Sequence, residues 1–411
     1  MHILYLHQYF ITRAGAGGTR SYEFARHFVR AGHRVTVLTA ADPSIPWKAR
    51  DRTRRRSVEG IEVVELYAGS SDYQSATTVR YGRRILNFAR FALASNLAVL
   101  GLPRPDVVFA TSTPLTIGIP GMLASRWHRA PLVFEVRDLW PEAPIQMGAL
   151  RHPAAVLAAR WLERAIYRRS ARVVALSPGM RVGVVDAGYP AERVAVIPNA
   201  ADLDLFSPTI DGSAIRARLG LERAFICAYF GTMGEANDLS QVLRAARIVQ
   251  DRGADDIAFV LAGKGRRRPQ FEALASELGL RNVYFLDPFG NKGEVAALVA
   301  AADLGLTIFK NVPVLYTCSP NKFFDTLAAG RPALVNTPGW LQSLVEQHEC
   351  GVFARPDDPE HMADQILHLR DHPELCLSYG QNARRLAEQQ FDRQQLAAQL
   401  LDVFAQALPG A

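Results

Sequence analysis

The sequence predicts two α/β domains, each a doubly wound parallel sheet with helices on both faces. Three observations carry this. Short apolar runs alternate with amphipathic stretches, the rhythm of strand–helix–strand units. The rhythm restarts after "NAADLDLFSP", residues 199–208. And 411 residues with 49% apolar content exceed what a single core usually serves.

In chain order, "HILYLH" reads as a buried strand. "TRSYEFARHFVRAG" has helical spacing, with Phe24, Phe28 and Val29 on one side and Gly32 as its stop. "HRVTVLTA" is the next strand. "DVVFATST" precedes the helical "IGIPGMLASRWH", "PLVFEV" runs into a loop, "ARVVALS" precedes "GMRVGVVDAG", and "RVAVIPN" closes the half. The second half opens with the strand "AFICAYFG" and a helix around "SQVLRAARIVQDRG". It continues with "IAFVLAG" before "RPQFEALASELG", "VYFLDPF" before "GEVAALVAAAD", then "LGLTIF" and "PALVNT". The expected domains are 1–204 and 205–384, with a linker near 203–212 and a last helix, 385–408, packing back on the first domain.

Charge is unevenly spread. The net is +7, yet residues 1–205 hold 27 Lys/Arg against 16 Asp/Glu, and residues 206–411 hold 20 against 24. A basic first half suits an acidic partner, either nucleic acid or an anionic membrane surface. No nucleic-acid-binding module accompanies it, so no nucleic-acid partner is expected. In "VRYGRRILNFARFALASNLAVLGL", Arg80, Arg83, Arg84 and Arg90 share one helical face and Ile85, Phe88 and Ala92 another. Such a helix can lie in a membrane interface, a solvated helix with a core-facing stripe being the plain alternative; "DRTRRR" and "RWLERAIYRRSAR" add to the same half. "MHILYLHQYF" lacks a basic leader, and "FALASNLAVLGL" is shorter than a membrane span. The expectation is a cytoplasmic protein peripheral on the inner face of the membrane. Four cysteines without metal-ligand spacing fit a reducing compartment.

Parallel sheets bind ligands beyond the carboxyl ends of their strands. Three turns there are glycine-rich: "TRAGAGGTR", "FGTMGEAND" and "GKGRRR". Glycine lets backbone N–H groups approach a phosphate, and a helix start favours its charge. "SPNKFFDTLAAG", residues 319–330, is a fourth such place. Ser319 reads as a helix cap and Pro320 as the first helical residue. Lys322 has the wrong sign for a helix start unless an anion sits there; a solvated surface lysine is the plain alternative. "GAGGTR" lacks the last glycine of a dinucleotide fingerprint, and neither a P-loop nor G-x-S-x-G occurs. "DLD" at Asp202–Asp204 is formally a metal motif, but it lies in the linker, where turn and cap roles prevail.

Taken together, "HILYLHQYF", "GGTRSYEFARHFVRAGHRVTVLT", "FEVRDLWPE", "LSPGM", "VIPNAADLDLF", "SPNKFFDTLAAGRP", "VNTPGWLQSLVE" and "CGVFARPDDP" resemble the GT-B glycosyltransferases of family 4. The resemblance is closest to the subgroup that adds N-acetyl-fucosamine-type sugars in O-antigen and capsule assembly. It implies two Rossmann-like domains facing a central cleft. It also implies a nucleotide-sugar donor on the second domain, a lipid-linked pyrophosphate-sugar or glycan acceptor on the first, retention of configuration, and no metal or other cofactor. The family's donor signature ends in two acids eight apart. The second matches Asp325, implied to take a ribose hydroxyl; the first falls on Thr317. A family Arg and Lys after the strand ending at Phe230 correspond to Thr232 and Asn237. Lys322 is then the replacement cation for the diphosphate, with Lys264, Arg267 and Arg268 as further candidates. Gly231, Ser319 and Asn321 complete the donor set, and Gly17 and Gly18 approach from the first domain. A family histidine corresponds to Arg137. Asp138 is the candidate to orient the acceptor hydroxyl, Glu135 its rival; Arg137 and Asp138 pairing only with each other is the plain alternative. A nucleotide-sugar 2-epimerase and a non-catalytic nucleotide-sugar-binding subunit are the competing functions.

Overall fold

The computed structural model describes residues 1–15, 18–41, 53–68 and 81–408, without the side chains of 81–85. The chain forms two units. The first comprises Met1–Thr12, Gly17–Pro198 and Gln394–Ala411; the second comprises Arg13–Ala16 and Asn199–Arg393. The change of unit thus falls at 198/199 rather than at 204, and the returning segment starts at 394 rather than 385.

The first unit is built on β1 (His2–Leu6), β2 (Arg34–Ala40), β3 (Thr53–Val58), β4 (Ile61–Leu66), β5 (Val107–Thr111), β6 (Leu132–Val136), β7 (Arg172–Ala175) and β8 (Val194–Val196). Their order is β3-β4-β2-β1-β5-β6-β7-β8. Every pairing is parallel except the β3–β4 hairpin. Strands β5 and β6 are buried along their whole length, as central parallel strands covered on both faces must be. Thr53–Arg56 of "DRTRRR", a stretch expected to be a basic patch, opens the edge strand β3, and the three arginines there are paired; Asp51 and Arg52 lie outside the described residues. Arg54 and Arg56 pair with Glu65, and Arg55 pairs with Glu62. The returning helix Arg393–Ala405 seats Phe404 edge-on against Phe28 and Phe109, 5.6 and 5.0 Å between ring centres.

The second unit carries β9 (Phe225–Phe230), β10 (Ile257–Ala262), β11 (Val283–Leu286), β12 (Leu304–Thr307), β13 (Ala333–Val335) and β14 (Gly351–Phe353). All are parallel, in the order β11-β10-β9-β12-β13-β14. The helix Pro373–Gln390 stays with this unit: Phe391, just past its end, packs on Phe324 at 4.8 Å. Each sheet reverses its winding once, between β1 and β5 in the first unit and between β9 and β12 in the second. Those switch points open a crevice at the strand ends, and the residues that follow these strands are the ones to inspect.

Candidate functional site

In the second unit, two turns meet backbone to backbone. Gly231 follows β9 with φ 131°, and Gly263 follows β10 with φ 151°. A Cβ on Gly263 would lie 1.9 Å from the Gly231 carbonyl oxygen, and one on Gly265 would lie 2.3 Å from that of Met233. Only glycine permits this approach. Met233 N–H donates to the Lys264 carbonyl at 3.0 Å and fixes the pair of turns.

Lys322 reaches this junction from the helix Asn321–Ala328. Its Nζ lies 3.7 Å from the centre of the Tyr229 ring. A Cβ added to Gly231 would stand 3.5 Å from both Lys322 Cε and Nζ. No carboxylate among the described residues pairs with it, and burial alone pushes its pKa down from 10.5 to about 7. The Tyr229 hydroxyl donates to the Thr232 carbonyl at 2.6 Å, which holds the ring in place.

Several other expected donor residues are occupied otherwise. Ser319 does not cap the helix: Pro320 stands at the cap position without a side-chain bond. The Ser319 hydroxyl accepts from Asn199 N–H at 3.0 Å, and its carbonyl accepts from the Asn199 amide at 2.5 Å. Arg268 is tied to the Gly263 and Leu286 carbonyls and to Glu272 and Asp287, so it braces the β10 turn instead of facing a ligand. Arg267 bonds Gln270. The Asn237 side chain donates to the Ile308 carbonyl at 3.1 Å and fastens its loop to the end of β12. Lys264 is exposed, and Asn321 opens the helix. Asp325 is buried, and one carboxylate oxygen sits 3.2 Å from Lys292 Nζ. Burial raises its pKa against the pull of Lys292. Its other oxygen is buried and has no hydrogen-bond partner among the described residues. Asp202 pairs with Arg393 at 2.5 Å, and its carbonyl accepts from Leu205 and Phe206, which is turn work. Among the described residues, no three His, Cys, Asp or Glu side chains converge as metal ligands.

In the first unit, the switch point gathers His7 after β1, Ser112 and Thr113 after β5, and Glu135 to Asp138 around the end of β6. Glu135 is fully buried and accepts from Arg20 Nε at 3.0 Å, Arg20 Nη2 at 2.8 Å and the Thr111 hydroxyl at 2.5 Å. A carboxylate so engaged is a structural anchor, not a base, which removes Glu135 from the catalytic candidates. Arg20, itself fully buried, also donates to the carbonyls of Ile197 and Pro198. Arg137 does not pair with Asp138. Its guanidinium lies 3.2 Å from His7 Nε2, and its backbone N–H donates to Ser112 Oγ. Arginine only donates, so His7 Nε2 accepts. The proton is then on Nδ1, which faces Ser21 Oγ at 2.6 Å. His7 is therefore neutral, and burial and Arg137 both lower its pKa. Asp138 is half-buried and accepts from the Thr113 hydroxyl at 2.8 Å. Gly18 lies in the turn before the helix Arg20–Arg30; Gly17 lies outside the described residues.

On the helix Tyr81–Leu100, Arg90 is exposed. Arg80 and the side chains of Arg83 and Arg84 lie outside the described residues. No helix among the described residues is long and apolar enough to cross a membrane.

The sequence reading missed Tyr229, Lys292, Arg20 and Thr111. Tyr229 immediately precedes the last residue of a readable strand, which was the one signal on offer. The others act through partners distant in sequence.

Known proteins match along most of the chain. Residues 15–200 match the family described as glycosyl transferase 4-like domain, and residues 224–372 match glycosyl transferases group 1. WcaI of Escherichia coli K12, named for glycosyl transfer in colanic acid biosynthesis, is 24% identical over 395 residues, 92% of this chain and 94% of the relative. Sucrose-phosphate synthase of Thermosynechococcus elongatus has a similar fold, with a TM-score of 0.79 at 19% identity over 98% of both chains. HepE of Anabaena, solved with UDP-glucose, gives 0.70 at 20% identity over 98% of this chain and 99% of its own.

Proposed function

Since the chain belongs to the GT-B glycosyltransferases, we propose that it moves a sugar from a UDP-linked donor to a lipid-linked or glycan acceptor in cell-surface polysaccharide assembly. The donor sugar is an N-acetylated deoxyhexose, the anomeric configuration is retained, and no metal takes part. The carrying observation is the Lys322 side chain, held against Tyr229 beside Gly231 with no acid among the described residues to neutralise it. A diphosphate brings the missing charge. The relation to WcaI supports the polysaccharide setting, and the UDP-glucose bound by HepE supports the donor class.

In this reading the glycosidic C–O bond to the diphosphate breaks as the acceptor oxygen approaches the same face. The acceptor proton passes to the departing phosphate oxygen. Lys322 stabilises the charge that grows on that leaving group, and the second carboxylate oxygen of Asp325 takes a ribose hydroxyl. Asp138, steadied by Thr113, orients the acceptor hydroxyl. The basic first unit binds the acceptor at an anionic membrane surface.

The test is a panel of UDP-sugars incubated with a short lipid pyrophosphate acceptor, with and without chelator, read by product mass and by the anomeric coupling of the new linkage. Acceptor-dependent UDP release with retention, unaffected by chelator, is expected. Interconversion of sugar nucleotides without acceptor would make the protein an epimerase, and binding without turnover a carrier subunit.

A further inference from the structure

We propose that one helical face of the first unit is a docking surface for an anionic bilayer, and that a depression in it seats a lipid phosphate headgroup. The face is formed by the helices Tyr81–Leu100, Gly118–His128 and Pro153–Arg169, packed side by side in that order. This rests on the membrane part of the function proposed above and needs nothing of its transfer chemistry.

The helix Tyr81–Leu100 turns Phe88, Phe91, Ala92, Ser95 and Val99 inward, all buried. At 100° per residue, Leu86, Arg90, Leu93, Leu97 and Leu100 fall within one narrow arc on the opposite side. That side was expected to be basic; it is largely leucine. Leu93 is 67% and Leu97 75% exposed. Leucine is among the side chains most often inside a protein, and a single exposed one needs no explanation, but a stripe of four does. The next helix adds Trp127, and the third adds Leu157 and Trp161, all three at least 60% exposed. Indole rings with an apolar body and one N–H donor settle at the level of lipid headgroups. In the second unit, Leu377 is the one large apolar side chain of comparable exposure among the described residues.

Charge selects the occupant. Between the second and third helices lies a depression of about 330 Å³ lined by Met122, Ser125, Arg126, Arg129 and Arg169. None of the three arginines forms an ion pair among the described residues. Other arginines of the same unit do: those of β3 with Glu62 and Glu65, and Arg160 with Glu142. Three guanidinium groups around one concavity, in a helical layer whose first helix carries the apolar stripe, match a phosphate at the edge of acyl chains. A second copy of the chain fits less well. A two-fold interface through this face would press the same unpaired arginines toward their own images.

The experiment is co-sedimentation of the full chain with vesicles of phosphatidylcholine alone and with phosphatidylglycerol added. The wild type is expected on the anionic vesicles and not on the neutral ones. Replacing Arg126, Arg129 and Arg169 together by Gln should weaken partitioning about a hundredfold, at about fivefold per basic residue near an anionic surface. A control triple on exposed arginines of the second unit (Arg218→Gln, Arg223→Gln, Arg244→Gln) should change it less than threefold. Leu93→Ser with Leu97→Ser should also release the protein. UDP-glucose affinity, measured on every variant, reports that the fold is intact and is expected to stay level. If the Arg126/Arg129/Arg169 triple binds as the wild type does, this surface is wrong while membrane attachment survives. No binding to either vesicle ends both. Self-association that Leu97→Arg abolishes, without vesicle binding, gives the face to a second copy and overturns the proposal.

Discussion

Donor binding should take up a proton, and its strength should fall as pH rises through 7. The cause is Lys322, whose pKa burial lowers from 10.5 to about 7 in the free protein. A diphosphate beside Nζ favours the charged form and raises that pKa again. Only the protonated fraction is ready to bind. That fraction falls from about 0.9 at pH 6 to about 0.1 at pH 8, a tenfold loss of affinity or ~1.4 kcal/mol. The free protein shows the opposite trend. The folded state resists the proton that the unfolded chain accepts, so burial costs stability fully below pH 7, and the cost fades between 7 and 10.5. At pH 8 it is about 3 kcal/mol. Lys322→Met should therefore raise the melting temperature of the empty protein, weaken donor binding by about a hundredfold, and abolish its pH dependence. Calorimetry with UDP-glucose at pH 6, 7, 8 and 9, in buffers of different ionisation heat, reads both affinity and proton uptake. A nucleotide sugar is the right probe because its diphosphate, unlike that of UDP, has no proton to lose in this range. A flat profile in the wild type, or the same slope in Lys322→Met, would refute the reasoning.

Three further outcomes test the structural assignments. Glu135→Gln strands Arg20 in the core and should cost about 3–5 kcal/mol of stability in a denaturant melt; Asp138→Asn should cost under ~1 kcal/mol yet lower kcat/KM at least about tenfold. If the two variants behave alike, the separation of anchor from catalytic candidate fails. Gly263→Ala places a methyl group 1.9 Å from the Gly231 carbonyl and should unfold the second unit or cost more than ~3 kcal/mol, seen as an early transition in calorimetry. Arg268→Gln should lose about 1–3 kcal/mol of stability by freeing two carbonyls and leave UDP-glucose affinity unchanged; a large affinity loss at full stability would restore Arg268 to the donor site.

The alternation of strands and helices was readable because each element is written in consecutive residues. Strands such as "LVFEV" and "FICAYF" are short apolar runs whose neighbours need not be known to recognise them. The edge strand β3 was not readable. "TRRRSV" has a strand's alternation only once Glu62 and Glu65 across the hairpin receive its arginines, and alone it is a run of charge. The unit boundary was misplaced for a similar reason: "NAADLDLF" looks like a linker, yet Asp202 is held by Arg393, 191 residues on.

The same distinction governs the site. A sequence shows which cations exist, not which are already neutralised. Arg20 and Glu135 stand 115 residues apart, and Lys292 and Asp325 stand 33 apart. Both pairs are invisible until the chain folds, so Glu135 read as a free base; Arg268 read as a free cation because Asp287 and the Leu286 carbonyl meet it only in the fold. Lys322 and Arg137 differ in kind. The first leans on an aromatic ring and the second on a histidine that burial, and then the guanidinium itself, keep neutral. Each therefore puts a basic group at a switch point of its sheet with no carboxylate among the described residues paired to it. In the second unit that group stands where Thr232 and Asn237 offer no charge. Removing it should thus cost binding and not folding, which is the opposite of what Arg20 and Lys292 predict for themselves.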